Sequence, residues 1–354
     1  MSIRKKIIFL ASLILGFLAT GFFSRNFVYA ADEIGRLGTT SSLSVSATSS
    51  NAGEVFWATE SSTRELQPEP VIRVGLSKAA DRLEFFSEFP YEVFSGTQSQ
   101  GLLPAGKRAT LEYYNGVYIF KSDSLAFDSP RYFRLAPSDP ANYFTLLGTF
   151  ERRLKGRKPN FNSYRGTLEY RYSPRSKAVF VINELPLDEY VAGITESADN
   201  VPEEYAKALL IAARSYANAQ ISAELPTERR MFDVYASTVD QLYLGYNSEI
   251  SMPRIAAAAA LTAGQMVTYQ GNPVVTPYFS HSNGKTKNWK NTPGGADRPW
   301  LQSVPAVYDK GKKMSGHGIG MSNHDAMQRA KKDNWTYKQI LKYYYTDVEV
   351  ERVY

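Results

Sequence analysis

Residues 202–217 read PEEYAKALLIAARSYA, and the spacing of the apolar positions decides what kind of fold this chain can have. Ala206, Leu209, Leu210, Ala213 and Ala217 recur at the three- and four-residue steps of one helix face, with Tyr216 beside them. Pro202 sits near the first turn, and Glu203 and Glu204 suit the positive end of the helix dipole. Asp199 or Asn200 is placed to cap it. The small side chains Ala212, Ala213 and Ala217 let a neighbouring element approach closely, so this is a core helix. Arg214 lies within it and is expected to pair with an acid rather than meet a ligand.

On the N-terminal side the pattern changes to short strand-like runs divided by turn residues: VIRVGL (71–76), ATLEYY (109–114), GVYIF (116–120) and TLEYRY (167–172). The stretch 178–194, AVFVINELPLDEYVAGI, gives a buried strand, a turn and a helix from about Leu187. On the C-terminal side, an alanine-rich helix is expected over 254–261. The strands QMVTYQ (265–270) and PVVTPYFS (273–280) follow, then a Gly-, Lys- and Asn-rich loop over 283–298. Further helices are expected over 322–332 and 337–345, the latter capped by Thr336, before a last strand VEVERV (348–353). The fold class is α+β. A β-rich part over 69–178 precedes a mixed α+β domain over 179–354, built on the central alanine-rich helix and carrying a groove.

The chain opens with Arg4, Lys5 and Lys6, an apolar run over 7–23, and small residues Val28 and Ala30 ahead of Ala31. Residues 1–30 read as a secretory signal, with an uncleaved membrane anchor as the alternative. Residues 31–68 read as a Ser/Thr-rich tether. The protein is expected to be secreted or held in the cell envelope. The signal contains four basic residues and no acid, so the formal charge of +6 falls to +2 without it. Such a balance argues against nucleic acid as a partner. With no cysteine in 354 residues, disulfides and thiolate metal sites are excluded.

One more stretch carries chemistry. Residues 316–326, GHGIGMSNHDA, place Gly316, Gly318 and Gly320 around His317, ahead of a helix. Either the turn merely needs positive φ angles, or its backbone lies close to a ligand with His317 as the polar contact. In the second case the helix from Ser322 would direct its N-terminal N–H groups at the same ligand. His324 reads as a surface residue of that helix. Gly-Lys-Thr at 284–286 lacks the upstream glycine of a phosphate loop.

Taken in order, these motifs resemble the stage II sporulation protein D family, whose domain also occurs in the enhancer of cell-wall amidases. The resemblance spans roughly 70–345. It is carried by VIRVGL, NELPLDEYVAGI (183–194), the 202–217 helix, FDVYASTVDQLYLGY (232–246), YFSHSNGKTKN (278–288), RPWLQSV (298–304) and GHGIGMSNHDA. It implies a bacterial protein acting on the glycan strands of peptidoglycan. The implied reaction is lytic transglycosylation, which cuts between N-acetylmuramic acid and N-acetylglucosamine with a single glutamate, here Glu196. One carboxyl suffices because the substrate's own 6-hydroxyl attacks the anomeric carbon, whereas a hydrolase needs a second carboxylate. The resemblance and the local chemistry nominate His281, Ser282, Gln241, Tyr243, His317 and Gly318 as substrate-binding. The alternative is a non-catalytic glycan-binding module that recruits or stimulates a cell-wall amidase. No cofactor and no metal are expected. The cysteine positions of zinc-binding relatives read Tyr235, Val239 and Asp240 here, and the three histidines lack ligand spacing. The closing motif departs from the family's usual Ser-Gln-x-Gly at Asn323 and Asp325.

Overall fold

The computed structural model describes residues 66–78, 82–148, 150, 152–153, 160–223, 231–292 and 298–354. The signal read at 1–30 and nearly all of the tether read at 31–68 lie outside the described residues, as does 293–297 of the Gly-rich loop.

Alternation of buried and exposed residues along short strands builds two antiparallel sheets. In Arg82–Phe86 it turns Leu83 and Phe85 inward, and in Tyr91–Ser95 it turns Tyr91 and Val93 inward. One sheet has seven strands in the order Val234–Tyr235, Val71–Lys78, Ala178–Pro186, Thr167–Ser173, Phe133–Pro137, Tyr91–Ser95, Gln98–Leu103. Only its first pair is parallel. The other has six, in the order Ser163–Arg165, Tyr143–Leu147, Arg82–Phe86, Arg108–Tyr114, Val117–Ser122, Ala126–Ser129. Aromatic rings join the two: Phe85 meets Tyr91 at 5.1 Å, Phe120 meets Phe133 at 5.9 Å, and Tyr118 meets Tyr170 at 6.3 Å. The first sheet crosses the 178/179 boundary read from the sequence. Ala178–Pro186 pairs with Thr167–Ser173 on one side and with Val71–Lys78 on the other, so the β-rich part and the helical part share one sheet.

Helices α1 (Leu187–Ala192), α2 (Glu203–Ile221), α3 (Tyr246–Ser251) and α4 (Pro253–Leu261) follow, then α5 (Asn323–Lys332) and α6 (Tyr337–Tyr344). The central helix α2 is buried along most of its length. It packs against α1, α4, α5, α6 and the strand Gln265–Tyr269. Arg214 is fully buried within it, its Nε 2.7 Å from Asp188 Oδ1, while the Tyr354 hydroxyl reaches the same oxygen at 3.0 Å. This is the internal pairing read from the sequence. Thr336 caps α6 as expected, in a reciprocal box with Gln339.

Two expectations are corrected. No side chain caps α2, whose N-cap is Pro202; instead Asp199 Oδ1 accepts Arg254 N–H at 2.8 Å and Ile255 N–H at 3.1 Å, capping α4. The run 273–280 is not one strand, because Pro273 and Pro277 cannot donate to a ladder. Only Asn272–Pro273 and Tyr278–Phe279 are paired, the latter in parallel with Met321–Ser322. Among the described residues no helix is long and apolar enough to cross a membrane.

Candidate functional site

After α1 the chain turns at Gly193 and runs extended beside residues 242–244. Leu244 N–H donates to Gly193 O at 2.9 Å and Thr195 N–H to Leu242 O at 2.8 Å. Gly193 is required by close approach, since a Cβ there would stand 2.5 Å from the Tyr243 ring. The short ladder ends at Glu196, whose Oε1 accepts Leu242 N–H at 2.5 Å. Burial raises the Glu196 carboxyl above its ordinary value, and the Leu242 N–H draws it partly back. Its second oxygen has no partner among the described residues and is not sealed from solvent. Glu196 is therefore a shielded carboxyl with one oxygen anchored and one available.

Gln241 organises the ground beside it. It is 1% exposed, accepts the Tyr190 hydroxyl at 2.8 Å, and donates to Ala213 O at 3.2 Å and to the Tyr278 hydroxyl at 2.9 Å. Burial holds Tyr278 and Tyr190 well above the usual phenol range; the charge of Glu196 adds to both, and for Tyr190 that of Asp240 comes before it. The Tyr278 hydroxyl thus stands within the field of Glu196. Because it accepts from Gln241, its own hydrogen remains to be donated. Tyr278 lies in a motif quoted above, yet no spacing singled it out; only the pairing of its strand with Met321–Ser322 places it here.

The other nominated residues separate into groups. Tyr243 and Ser282 are corrected from cleft residues to buried supports. The Tyr243 hydroxyl donates to Asn183 Oδ1 at 2.8 Å; Ser282 N–H donates to Asp309 Oδ2 at 2.7 Å, and Ser282 Oγ accepts Gly284 N–H. Gln241 acts from behind the surface through the two tyrosines. His281 is half-buried, exchanges backbone hydrogen bonds with Ser315, and has Nδ1 3.0 Å from Ser280 Oγ.

His317 lies between Tyr278 and the glycine turn. Its Nδ1 accepts Ile319 N–H at 3.0 Å, so Nε2 carries the proton and donates to Tyr278 O at 3.0 Å. Both nitrogens are spent within the protein, and the polar contact expected of His317 is made with backbone; what it leaves for a ligand is an exposed ring face. The surrounding protein and, to a smaller extent, the Lys287 ammonium lower its pKa to about 4 against the opposing bond to Tyr278 O. Gly318 has a φ of +85°, and a Cβ there would lie 2.9 Å from Met314 Sδ; at Gly320 (φ +72°) a Cβ would lie 2.0 Å from Pro277 O. The glycines thus have a structural reason to be glycine before any ligand is considered.

Residues that the sequence did not reveal complete the wall. Asp309, fully buried, accepts Ser282 N–H, the Ser322 hydroxyl at 2.5 Å and His324 Nδ1 at 2.7 Å. Burial alone would raise its carboxyl; these donors outweigh that and hold it below the ordinary range. His324 is therefore more than a surface residue of α5. Its backbone N–H is spent on Ser280 O, and Asp325, in the same first turn, accepts Tyr308 N–H, the Tyr344 hydroxyl and Arg329. Among the described residues, no group of three or more His, Asp or Glu side chains is arranged to hold a metal ion. A separate hollow of about 400 Å³, lined by residues including Leu261, Gln265, Tyr337 and Arg352, shares none of these residues.

Comparison with known proteins bears on the same region. Residues 175–269, which run from before Glu196 past Gln241 and through α1–α4, match the family model described as Stage II sporulation protein. The chain is 32% identical over 145 residues to stage II sporulation protein D of Bacillus subtilis (strain 168), covering 36% of this chain and 41% of that protein. It is 31% identical over 179 residues to stage II sporulation protein D of Bacillus amyloliquefaciens, covering 45% of this chain and 48% of that protein. The matched stretch thus spans less than half the length of either relative. Over residues 175–269, the stretch that holds Glu196 and Gln241, the chain is thus similar to the stage II sporulation protein family.

Proposed function

We propose that this is an exported peptidoglycan-remodelling protein that cleaves glycan strands by lytic transglycosylation, with Glu196 as the single acid and base. The observation that carries the reading is the state of Glu196: its carboxyl is raised by burial, held at one oxygen by Leu242 N–H and free at the other. A carboxyl so placed holds its proton more readily than a free one and can give it to the glycosidic oxygen between N-acetylmuramic acid and N-acetylglucosamine. As the C1–O bond breaks, the 6-hydroxyl of the muramyl residue attacks C1 and its proton passes to the same carboxylate. The products are a 1,6-anhydromuramyl end and a free 4-hydroxyl, and no water is consumed. A hydrolase would need a second carboxylate to activate water. The other acid on the adjoining loop, Asp240, has its oxygens engaged by Tyr216 and by Tyr235 N–H. The Tyr278 hydroxyl, with its proton available, is placed to support the carboxylate form of Glu196 or a sugar oxygen beside it.

The test is mass spectrometry of stem-peptide-free glycan strands incubated with the protein. Anhydromuramyl ends are expected from the wild type. Glu196→Gln should lower their formation by about 10²-fold or more while glycan affinity stays within about twofold, since only the titrating oxygen is replaced. Binding without anhydromuramyl ends in the wild type would overturn the enzymatic reading. It would leave the non-catalytic module that recruits or stimulates a wall amidase.

A further inference from the structure

After the strand Tyr278–Phe279 the chain bends at Ser280 and bridges to Ser315 at His281, so Glu196 lies near only the Tyr278 side of this segment. Phe279 is buried, while Tyr278 is half-buried and Ser280 is exposed. At the Tyr278 end stands Glu196. At the Ser280 end stands His324, whose backbone N–H donates to Ser280 O at 3.0 Å. Ser280, two residues after Tyr278, thus brings to this segment a second group whose geometry is unusually determined.

Asp309 determines it. The carboxylate is wholly buried, and its two oxygens are saturated by donors from three segments: Ser282 N–H after the strand, the Ser322 hydroxyl before α5, and His324 Nδ1. The bond to Nδ1 fixes the proton on that nitrogen and leaves the lone pair on Nε2. Nε2 has no partner among the described residues and is not a buried atom, the side chain being 29% exposed. A link that served packing alone would need only the Nδ1 side. Here an internal carboxylate orients a histidine so that its acceptor nitrogen faces solvent.

We propose that His324, oriented by Asp309, is a sugar-binding residue of the same groove, its Nε2 accepting a hydrogen bond from a hydroxyl or acetamido N–H of the glycan strand one position along from Glu196. Asp309 is its positioning residue. The inference rests on the glycan reading above and deepens it by naming a second contact. With Nδ1 held by Asp309, Nε2 supplies an acceptor, which selects for the O–H and N–H donors that line an N-acetylated sugar chain.

The test uses the full chain, ¹⁵N-labelled at histidine, with a β-1,4-linked N-acetylglucosamine tetramer and stem-peptide-free glycan strands as probes. In the free protein His324 should show a protonated Nδ1 and an unprotonated Nε2, and the Nε2 resonance should move on adding the tetramer. His324→Ala should weaken binding about three- to tenfold. His324→Asn places a donor near Nδ1, keeping the link to Asp309 while removing the outer acceptor, and should weaken binding as much with the melting temperature retained. His324→Gln, which restores an acceptor near the Nε2 position, should recover part of the loss. If the wild type binds but His324→Asn binds equally well and Nε2 does not move, His324 is only a structural partner and the proposal falls alone. If the wild type binds neither probe, the glycan reading falls with it.

Discussion

At the scale of single residues, the glycines around His317 show how a backbone demand and a ligand demand can share one stretch. Gly318 and Gly320 both adopt positive φ, but their surroundings differ in a way that sets the cost of a side chain. A methyl at Gly318 meets the ends of flexible side chains, Met314 Sδ at 2.9 Å and Lys287 Cδ at 3.1 Å, which can swing aside. A methyl at Gly320 meets the Pro277 carbonyl oxygen at 2.0 Å, and that carbonyl also accepts Met321 N–H and the Tyr345 hydroxyl. Gly318→Ala should therefore cost about 1 kcal/mol, chiefly from its φ, and Gly320→Ala roughly 3 kcal/mol or more. Chemical denaturation of both variants checks this, and equal losses would show that side-chain freedom is not what separates them. His317 belongs to the same device, since both its nitrogens hold backbone of the turn and of the facing strand. The glycine–histidine alternation was legible as a turn that needs positive φ. That the imidazole would face inward to Tyr278 O was not, because the partner carbonyl lies 39 residues away.

Between elements, the long-range cap at Asp199 makes the same point in energetic form. A helix start leaves N–H groups unsatisfied, and α4 opens on Pro253 with Met252 at its cap position and no side-chain cap of its own. The carboxylate of Asp199, more than fifty residues earlier, fills that role for Arg254 and Ile255. Asp199→Ala should cost about 1 kcal/mol and should speed amide exchange at Arg254 and Ile255, leaving the first turn of α2 unchanged. Faster exchange at Tyr205 and Ala206 instead would return Asp199 to the local role its position suggests. Period and capping residues placed α2, α4, α5 and α6 within a few residues of their ends and the start of α1 at Leu187. Period also placed the strands with strong alternation, such as Val117–Ser122 and Thr167–Ser173. The sequence reading passed over Tyr91–Ser95 and Phe133–Pro137, which alternate over only five residues, and Gln98–Leu103, whose apolar residues come only at its end; all three are paired with neighbours in the sheet. The candidate site divides in the same manner. Glu196 and Gln241 sit in contiguous motifs, whereas Asp309 and His324 meet only because the turn Val307–Asp309 packs on α5.

For the molecule as a whole, acid should act on this wall through groups that pull in opposite directions. His317 titrates at about 4 in the folded chain against 6.5 as a free side chain. Between those values the unfolded state binds a proton that the folded state refuses, so stability falls as pH drops through that window. Asp309 is held below its ordinary 3.8, so its contribution is present above that value and is lost on further acidification. The carboxyls of Glu69, Glu189, Glu196 and Glu249 are raised above 4.5 by burial. In the folded state they take up protons earlier than in the unfolded chain, so acidification first relieves their cost and partly masks the loss at His317. The melting curve of the wild type alone therefore mixes opposite slopes, and the informative quantity is a difference. His317→Gln has no imidazole to titrate while keeping a polar side chain at the turn. Its melting temperature minus that of the wild type should rise as pH falls from about 6.5 to about 4 and then level off. A difference that stays flat across that window, measured in one buffer series at constant ionic strength, would show that His317 is not held neutral by the fold. The two hydrogen bonds joining the glycine turn to Tyr278 and Ile319 would then need a different account.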